Sequence, residues 1–377
     1  MVLSECRRVW AIIGDKLGDN AQIRTVAAAL PWPVEEKQLT FWKPFRRGKP
    51  WFLPSLYHVD RRASAALAPP WPDLILTIGR RPAMAALWVK RQSGGRTRLA
   101  LFGPPKGFVA AFDLIVVPAQ YKAPDHPALL RLDLPLIPLN HASVEAAGQR
   151  WQAQLQALPK PLTAVLVGGA TQPFVFDKVV AERLVHDTRA TTGGAGTLYF
   201  STSRRTQPDA VLALQQALPG NALLYRWQAG ATEDNPYLGL LAHADRFVVT
   251  GDSVSMLVEV ARLGRPLAVF ALPQRRGVMG PRSVRNGRDG RRAASASDGS
   301  GGKARDQGRA ASTSDSAGGK ARDLTEIHQV LYASGRAVPL GDAFLPARPP
   351  DATLPGLEEV VCRIRELMQS PQENMRD

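Results

Sequence analysis

Gly251, Asp252 and Ser253 stand between a β-branched run, Phe247 to Thr250, and a stretch that carries Ser255 and in which Val254, Leu257, Val258, Ala261 and Leu263 recur at helical spacing. Small polar residues at the end of a strand, followed at once by a helix start, turn backbone N–H groups and the positive end of a helix dipole outward. That combination favours a phosphate. Thr250 adds a hydroxyl, and Glu259 lies two turns into the predicted helix, within reach of whatever the loop holds. Ser253 would serve equally as a plain helix N-cap, so this unit alone leaves both a phosphate site and a simple βαβ crossover open.

Two more loops have the same character. Gly168-Gly169-Ala170-Thr171 follows a predicted strand, Leu162 to Val167. Glycine lets backbone approach a phosphate closely, although such pairs also occur in ordinary turns. Ser203-Arg204-Arg205-Thr206 ends a predicted strand from Thr197 to Thr202, and two hydroxyls beside two guanidinium groups suit a diphosphate. Arginine pairs are common on surfaces. In a parallel sheet, however, all three loops fall along one edge, and their coincidence argues more strongly than any one of them.

The first half offers carboxylates instead. Asp15 and Asp19 lie in GDKLGDN, residues 14 to 20, between a buried-strand candidate at Val9 to Ile13 and an Ala-rich helix from Ala21 to Leu30. The run DLILTI at 73 to 78 is followed by Gly79-Arg80-Arg81 and a helix opening on Pro82, a residue the first turn tolerates. None of His58, His126, His141, His186, His243 and His328 sits in a context that marks it for chemistry.

The elements that must carry these loops alternate. Further strands are expected at 34 to 40, 99 to 102, 113 to 117, 134 to 137 and 223 to 227, with helices at about 143 to 157, 177 to 189, 209 to 218 and 237 to 243. Alternation of this kind predicts α/β architecture with doubly wound parallel sheets. The Pro-rich joint LPKPL at 158 to 162, after which the pattern restarts, divides the chain into 1–158 and 159–370.

The chain of 377 residues is 45% hydrophobic and 21% charged, enough for two globular domains with real cores. Its net charge of +15 would ordinarily suggest nucleic acid. The location of the charge argues against that partner, because residues 275–322 hold twelve Lys or Arg against four Asp, over half of the excess. Within that segment RAASASDGSGGKARD (292–306) recurs as RAASTSDSAGGKARD (309–323). Two polar copies cannot form a solenoid, so 275–323 is expected to be a disordered, basic insertion in a surface loop. Cys6 and Cys362, at opposite ends, provide neither a disulfide framework nor a zinc spacing. Without a signal-like or membrane-spanning run, the expected location is the cytoplasm.

FWKPFRRGKPWFLPSL, residues 41 to 56, interleaves aromatic rings with Lys43, Arg46, Arg47 and Lys49. Rings beside cations suit peripheral association with an anionic membrane, such as the inner membrane, or an amphipathic acceptor. The alternative is a loop whose rings fold back onto the domain. Pro44, Pro50 and Pro54 favour a loop over a clean interfacial helix.

TGDSVSMLVEVARLGRPLAVF, with VGG-AT at 167 to 171, STSRRTQP at 201 to 208, GDKLGDNAQ at 14 to 22, LTIGRRPAMAALWVKRQSGG and FDLIVVP, resembles the mitochondrial-fission Elm-type family in order and spacing from about Val9 to Pro273. After FDLIVVP the chain reads AQYKAPDHP, departing from the His-Asp pair of many relatives. The resemblance implies a GT-B-like architecture: two Rossmann-like domains facing a cleft, the N-terminal one toward the acceptor and the C-terminal one holding a nucleotide-diphosphate sugar. It further implies that Ser253 and its neighbouring N–H groups hold the diphosphate and Glu259 the ribose hydroxyls. Thr250, Asp252, Ser255, Gly168, Gly169, Ser203 and Arg204 would line the same site. A glycosyltransferase of this kind needs no metal or other cofactor if cations and helix starts stabilise the leaving diphosphate. Its base should come from the N-terminal side of the cleft, where Asp19 and then Asp15 are best placed, though either could simply cap the helix. A nucleotide-sugar epimerase and a non-enzymatic adaptor on the same scaffold are the alternatives.

Overall fold

The computed structural model describes residues 7–46, 53–123, 125–171, 173–230, 234–274 and 323–370. The repeat segment 275–322 and residues 47–52 of the aromatic stretch lie outside the described residues. In chain order the first half contains β1 (Val9–Ile13), α1 (Leu17–Ala29), β2 (Val34–Gln38), the short α2 (Lys43–Arg46), β3 (Leu74–Ile78), α3 (Arg80–Gln92), β4 (Arg98–Phe102), β5 (Leu114–Pro118) and β6 (Leu129–Leu132). The second half contains α4 (His141–Gln156), β7 (Leu162–Val167), α5 (Lys178–Thr192), β8 (Thr197–Thr202), α6 (Pro208–Ala217), β9 (Ala222–Tyr225), α7 (Tyr237–His243), β10 (Arg246–Thr250), α8 (Val254–Arg262), β11 (Leu267–Phe270), α9 (Thr325–Ala333), β12 (Val338–Pro339) and α10 (Leu357–Gln369).

These strands form two six-stranded sheets, in the orders β2-β1-β3-β4-β5-β6 and β12-β11-β10-β7-β8-β9, and each pairing within them is parallel. The fold is therefore α/β with two Rossmann-like, doubly wound sheets. Their central strands β1, β3, β4, β5 and β7 are buried throughout, as strands covered by helices on both faces must be. Strand order reverses between β1 and β3 in the first sheet and between β7 and β10 in the second. At such switch points the loops at the carboxyl ends diverge and leave a crevice.

One predicted strand is displaced. Leu134 to Ile137 is not a strand, and β6 lies earlier, at Leu129–Leu132. Leu134 and Leu136 are buried, which is the signal the apolar run carried. Pro135 and Pro138 cannot donate to a ladder, so that run becomes the link to the second sheet.

The packing also departs from a division at residue 158. Val144 and Leu155 of α4 belong to the core of the second sheet, whereas Leu354, Val360, Ile364 and Met368, in and before α10, complete the core of the first. The chain thus crosses between the units twice, before α4 and before α10. Both crossings are fastened to the C-terminal turn of α8: Arg262 Nη1 donates to the carbonyl of Ile137 at 3.0 Å, and the N–H of Asp351 donates to the carbonyl of Arg262 at 2.8 Å.

Helix α9 joins the carboxyl edges of the two sheets. Just before it, the N–H of Asp323 donates to the carbonyl of Gln120, two residues past β5. Within it, Nε2 of buried His328 sits 2.8 Å from the carbonyl of Gly251, directly after β10. Asp323 and His328 are only five residues apart, across the start of α9, so the two edges meet at this helix.

Candidate functional site

The second switch point brings the loops after β7, β8 and β10 together around one carboxylate. Asp252 is 3% exposed, and its Oδ2 accepts from the N–H of Gly169 at 3.0 Å, from Arg205 Nη2 at 3.1 Å and from Thr171 Oγ1 at 3.3 Å. Its Oδ1 accepts from Thr250 Oγ1 at 2.8 Å, and that hydroxyl in turn accepts the N–H of Gly168 at 2.8 Å. Burial pushes the Asp252 carboxyl above the ordinary carboxylate range, while Arg205 and these hydrogen bonds pull against the rise. A buried carboxylate persists as an anion only with such a set of donors.

The glycines are there for closeness. A Cβ on Gly168 would lie 2.4 Å from Asp252 Oδ1, and one on Gly169 would lie 2.2 Å from the carbonyl oxygen of Arg205. The loop after β8 is tied into the same knot, because Ser203 Oγ and Thr206 Oγ1 both donate to the carbonyl of Gly168.

This geometry divides the residues expected to bind a donor. Thr250, Asp252, Ser203 and the two glycines are spent on one another and shape the loops, all of them buried except half-buried Ser203. A carboxylate such as Asp252 would also repel a diphosphate. Facing outward are Arg204 and Ser255, both exposed. Ser253 is the N-cap residue of α8, and its side chain makes no capping hydrogen bond to the first N–H groups of that helix. Ser253 and Val254 are themselves buried, at 5% and 4% exposure, and Ser255 is the first exposed residue of that turn.

Glu259, further along α8, is half-buried and takes a hydrogen bond at Oε2 from the hydroxyl of Tyr237, the first residue of α7. Burial holds the Glu259 carboxyl above its usual range, opposed by Tyr237 and by the nearby charge of Arg262. Burial likewise drives the Tyr237 hydroxyl well above its ordinary value, and the carboxylate beside it adds to the rise. Tyr237 is thus a standing donor.

Across the first switch point, Asp15 and Asp19 flank the entrance to α1. Asp15 is exposed and paired with Arg81, whose Nη1 lies 3.2 Å from both carboxylate oxygens. Asp19 is half-buried, 3.9 Å from Lys16 Nζ, with Oδ2 next to the backbone of Gly79 at the start of α3. Asp19 thus stands in the first turn of α1 rather than in a loop, and Gly14, just after β1, is held by buried Asn20, which exchanges hydrogen bonds with both its backbone groups, and by Gln38 Nε2, 2.6 Å from its carbonyl.

The aromatic stretch divides. Phe41 is buried and stacks on His58, with ring centroids 5.7 Å apart, and His58 Nε2 meets the carbonyl of Arg81 at 2.9 Å. These rings fold back onto the domain, and burial holds the His58 imidazole below its usual range. Trp42 at 46%, Leu53 at 58% and Tyr57 at 45% exposure instead face solvent.

Tyr237 and His328 carry no motif in the sequence, and the motifs that contain Thr171 and Asn20 do not show what those side chains hold. Each is 22 or more residues from its partner except Asn20, and pairing across such distances leaves no local pattern. Among the described residues, no group of three or more His, Cys, Asp or Glu could hold a metal ion, and no helix is long and apolar enough to cross a membrane.

The family described as "Mitochondrial fission ELM1" matches residues 18–280. The chain is 26% identical over 222 residues to mitochondrial fission protein ELM1 of Arabidopsis thaliana, a match covering 52% of this chain and about half, 51%, of the plant protein. It is 26% identical over 301 residues to an uncharacterized protein of Rickettsia prowazekii (strain Madrid E), covering 70% of this chain and 83% of that one. Similar solved structures include the UDP-GlcNAc 2-epimerase of Neisseria meningitidis bound to UDP-GlcNAc, at 10% identity and a TM-score of 0.40, covering 70% of this chain and 82% of that one. They also include the ADP-heptose LPS heptosyltransferase II of Escherichia coli, at 12% identity and a TM-score of 0.38, covering 70% and 84%.

Proposed function

The chain belongs to the mitochondrial fission ELM1 family, and from that premise we propose that it is a glycosyltransferase of GT-B type, using a nucleotide-diphosphate sugar bound at the second switch point. The observation that carries this reading is the convergence of three polar loops on Asp252 beside the uncapped start of α8, with Glu259 five residues further along the same helix. The donor's diphosphate would lie against the first N–H groups of α8, Ser255 and Arg204, where charge-assisted hydrogen bonds and the helix dipole favour it. Vicinal ribose hydroxyls would donate to Glu259.

In the transfer step, Asp19 takes the proton of the acceptor hydroxyl as its oxygen attacks the anomeric carbon of the sugar. The bond from that carbon to the diphosphate breaks, and the nucleoside diphosphate leaves with the electron pair. Arg204 and the helix start stabilise its new charge, the role that a divalent cation fills elsewhere. The acceptor is proposed to be envelope-associated and lipid-linked, drawn from an anionic membrane to which exposed Trp42, Leu53 and Tyr57 dock peripherally from the cytoplasmic side.

The test is a melting measurement on the intact protein with UDP and GDP. Ligand at about a hundred times Kd stabilises by about 2.7 kcal/mol, a rise of several degrees. Glu259→Ala is expected to abolish the rise. If neither nucleotide moves the melting point of the wild type, the donor reading is wrong. Donor supplied without acceptor then separates a transferase, which stays idle, from a nucleotide-sugar epimerase, which turns over. The fission name of the plant relative favours a second reading, an adaptor on this scaffold. Retention of cellular function by Glu259→Ala, with loss on changing surface residues, would support it.

A further inference from the structure

Glu259 has two carboxylate oxygens, and the protein itself fills one. Oε2 accepts from the hydroxyl of Tyr237, which arrives from α7, 22 residues earlier in the chain. Tyr237 is held in turn: its N–H donates to Asn235 Oδ1 at 3.0 Å, and α7 packs along α4, where Gly239 sits directly against the ring of Trp151. A tyrosine loses few rotamers when ordered and has one donor, so its hydroxyl selects one orientation of the carboxylate.

We propose that Tyr237 is a positioning residue for the nucleotide donor, fixing Glu259 so that Oε1 is presented to the 2′- and 3′-hydroxyls of the ribose. This rests on the donor reading above and adds what selects a ribonucleotide over its deoxy analogue. A carboxylate free to rotate would spread its acceptors over several directions and discriminate weakly. One pinned at Oε2 offers a directed acceptor to two vicinal donors, and a ligand lacking one hydroxyl leaves that acceptor unsatisfied in a half-buried site.

The charges around Glu259 support the assignment. Tyr237 faces it from α7 and Arg262 from its own helix, and Arg262 is itself flanked by Asp351 and Arg336. Arg262 is buried, with Nη1 committed to the Ile137 carbonyl. Tyr237 is therefore the direct hydrogen-bond donor to the carboxylate, opposing the effect of burial that favours its protonated form. Without it Glu259 should take up a proton at higher pH.

Calorimetric titration of the full-length protein with UDP and with 2′-deoxy-UDP, between about pH 5 and 8, tests this. The wild type is expected to prefer UDP by about tenfold or more. Glu259→Gln and Tyr237→Phe should each reduce the preference to about twofold. Tyr237→Phe should also move the acidic limb of UDP binding to higher pH, because the hydrogen bond that favours the Glu259 carboxylate is lost. In the double variant Tyr237→Phe should add nothing to Glu259→Gln, since it acts only through that carboxylate. If Glu259→Gln loses the preference while Tyr237→Phe keeps it with an unmoved acidic limb, the role of Tyr237 is overturned and the donor site stands. If the wild type binds neither nucleotide, the donor reading fails and the inference with it. Should Tyr237→Phe melt at working temperature, the titrations are run below its melting point, where an undiminished preference for UDP would overturn the role of Tyr237 and a reduced one would support it.

Discussion

The backbone N–H of Gly169 lies 3.0 Å from Oδ2 of Asp252, so a carboxylate at the end of β10 holds the loop that follows β7. Arg205 and Thr171 share that oxygen, and Thr250 takes the other. Three loops that would otherwise move independently are made into one surface, and this explains why a negative residue stands in a site proposed to bind a diphosphate.

Removing Asp252 should therefore act on stability before it acts on ligand. Asp252→Ala leaves the Gly169 N–H, Thr171 and Arg205 without their acceptor, at a cost of about 3 kcal/mol or more. Melting of the ligand-free protein should fall by several degrees, and nucleotide affinity should fall with it. An unchanged melting point would mean the loops hold their shape by other contacts.

Gly169→Ala is expected to fail for a steric reason. The added Cβ meets the Arg205 carbonyl at 2.2 Å, backbone against backbone, and neither side can turn aside. A cost of about 3 kcal/mol and loss of the thermal shift by UDP are expected, measured by melting with and without nucleotide. Gly220→Ala is the control, since a Cβ there meets nothing within 4 Å.

Arg204 and Arg205 are neighbours with different duties. Arg204 is exposed, so Arg204→Ala should leave melting nearly unchanged and weaken nucleoside diphosphate binding by about tenfold, with a shallower salt dependence. Arg205→Ala removes the ion partner of buried Asp252 and should lower the melting point. Equal effects of the two substitutions on melting would refute this division.

Asp19 and Asp15 separate by kinetics. Asp15 is already held by Arg81, whereas Asp19 sits deeper, beside Gly79. Asp19→Asn should lower kcat by about a hundredfold or more with donor affinity unchanged, and Asp15→Asn by less than about tenfold. A reversed order would exchange the two roles.

His328 gives the fold a pH dependence. Burial depresses its imidazole below the ordinary histidine value, although its bond to the Gly251 carbonyl and the charge of Asp323 oppose this. The unfolded chain therefore takes up protons first. Stability from this group is present above about pH 6.5 and is lost as pH falls through the depressed value, by up to about 1.4 kcal/mol per pH unit. His58, depressed for the same reason, adds a second share. His328→Gln keeps a donor for Gly251 and removes one titration, so melting points between about pH 7 and 5 should fall less steeply than in the wild type.

The alternation of apolar runs and helical spacing, and the stops at Gly264 and Pro266, determined by themselves that β10, α8 and β11 form, and likewise most of both sheets, because a strand buried on both faces must be apolar along its length. The three polar loops were legible for the same reason: strands of a parallel sheet present their carboxyl ends to one edge. The family likeness suggested the roles proposed for Ser253 and Glu259. Strand order was not legible, and with it the fact that β7 lies between β8 and β10, which is what brings Gly169, Arg205 and Asp252 together. Nor could spacing show that Asp252, Thr250 and Ser203 are consumed within the protein while Arg204 and Ser255 face outward. The run at 134 to 137 read as a strand because burial alone leaves an apolar pattern, whereas its prolines and its place between the units decided otherwise. Tertiary structure also decided that α10 returns to the first sheet and that Tyr237 fills one oxygen of Glu259. Both are pairings between distant segments, chosen by shape and hydrogen-bond geometry, and neither leaves a periodic trace in the chain.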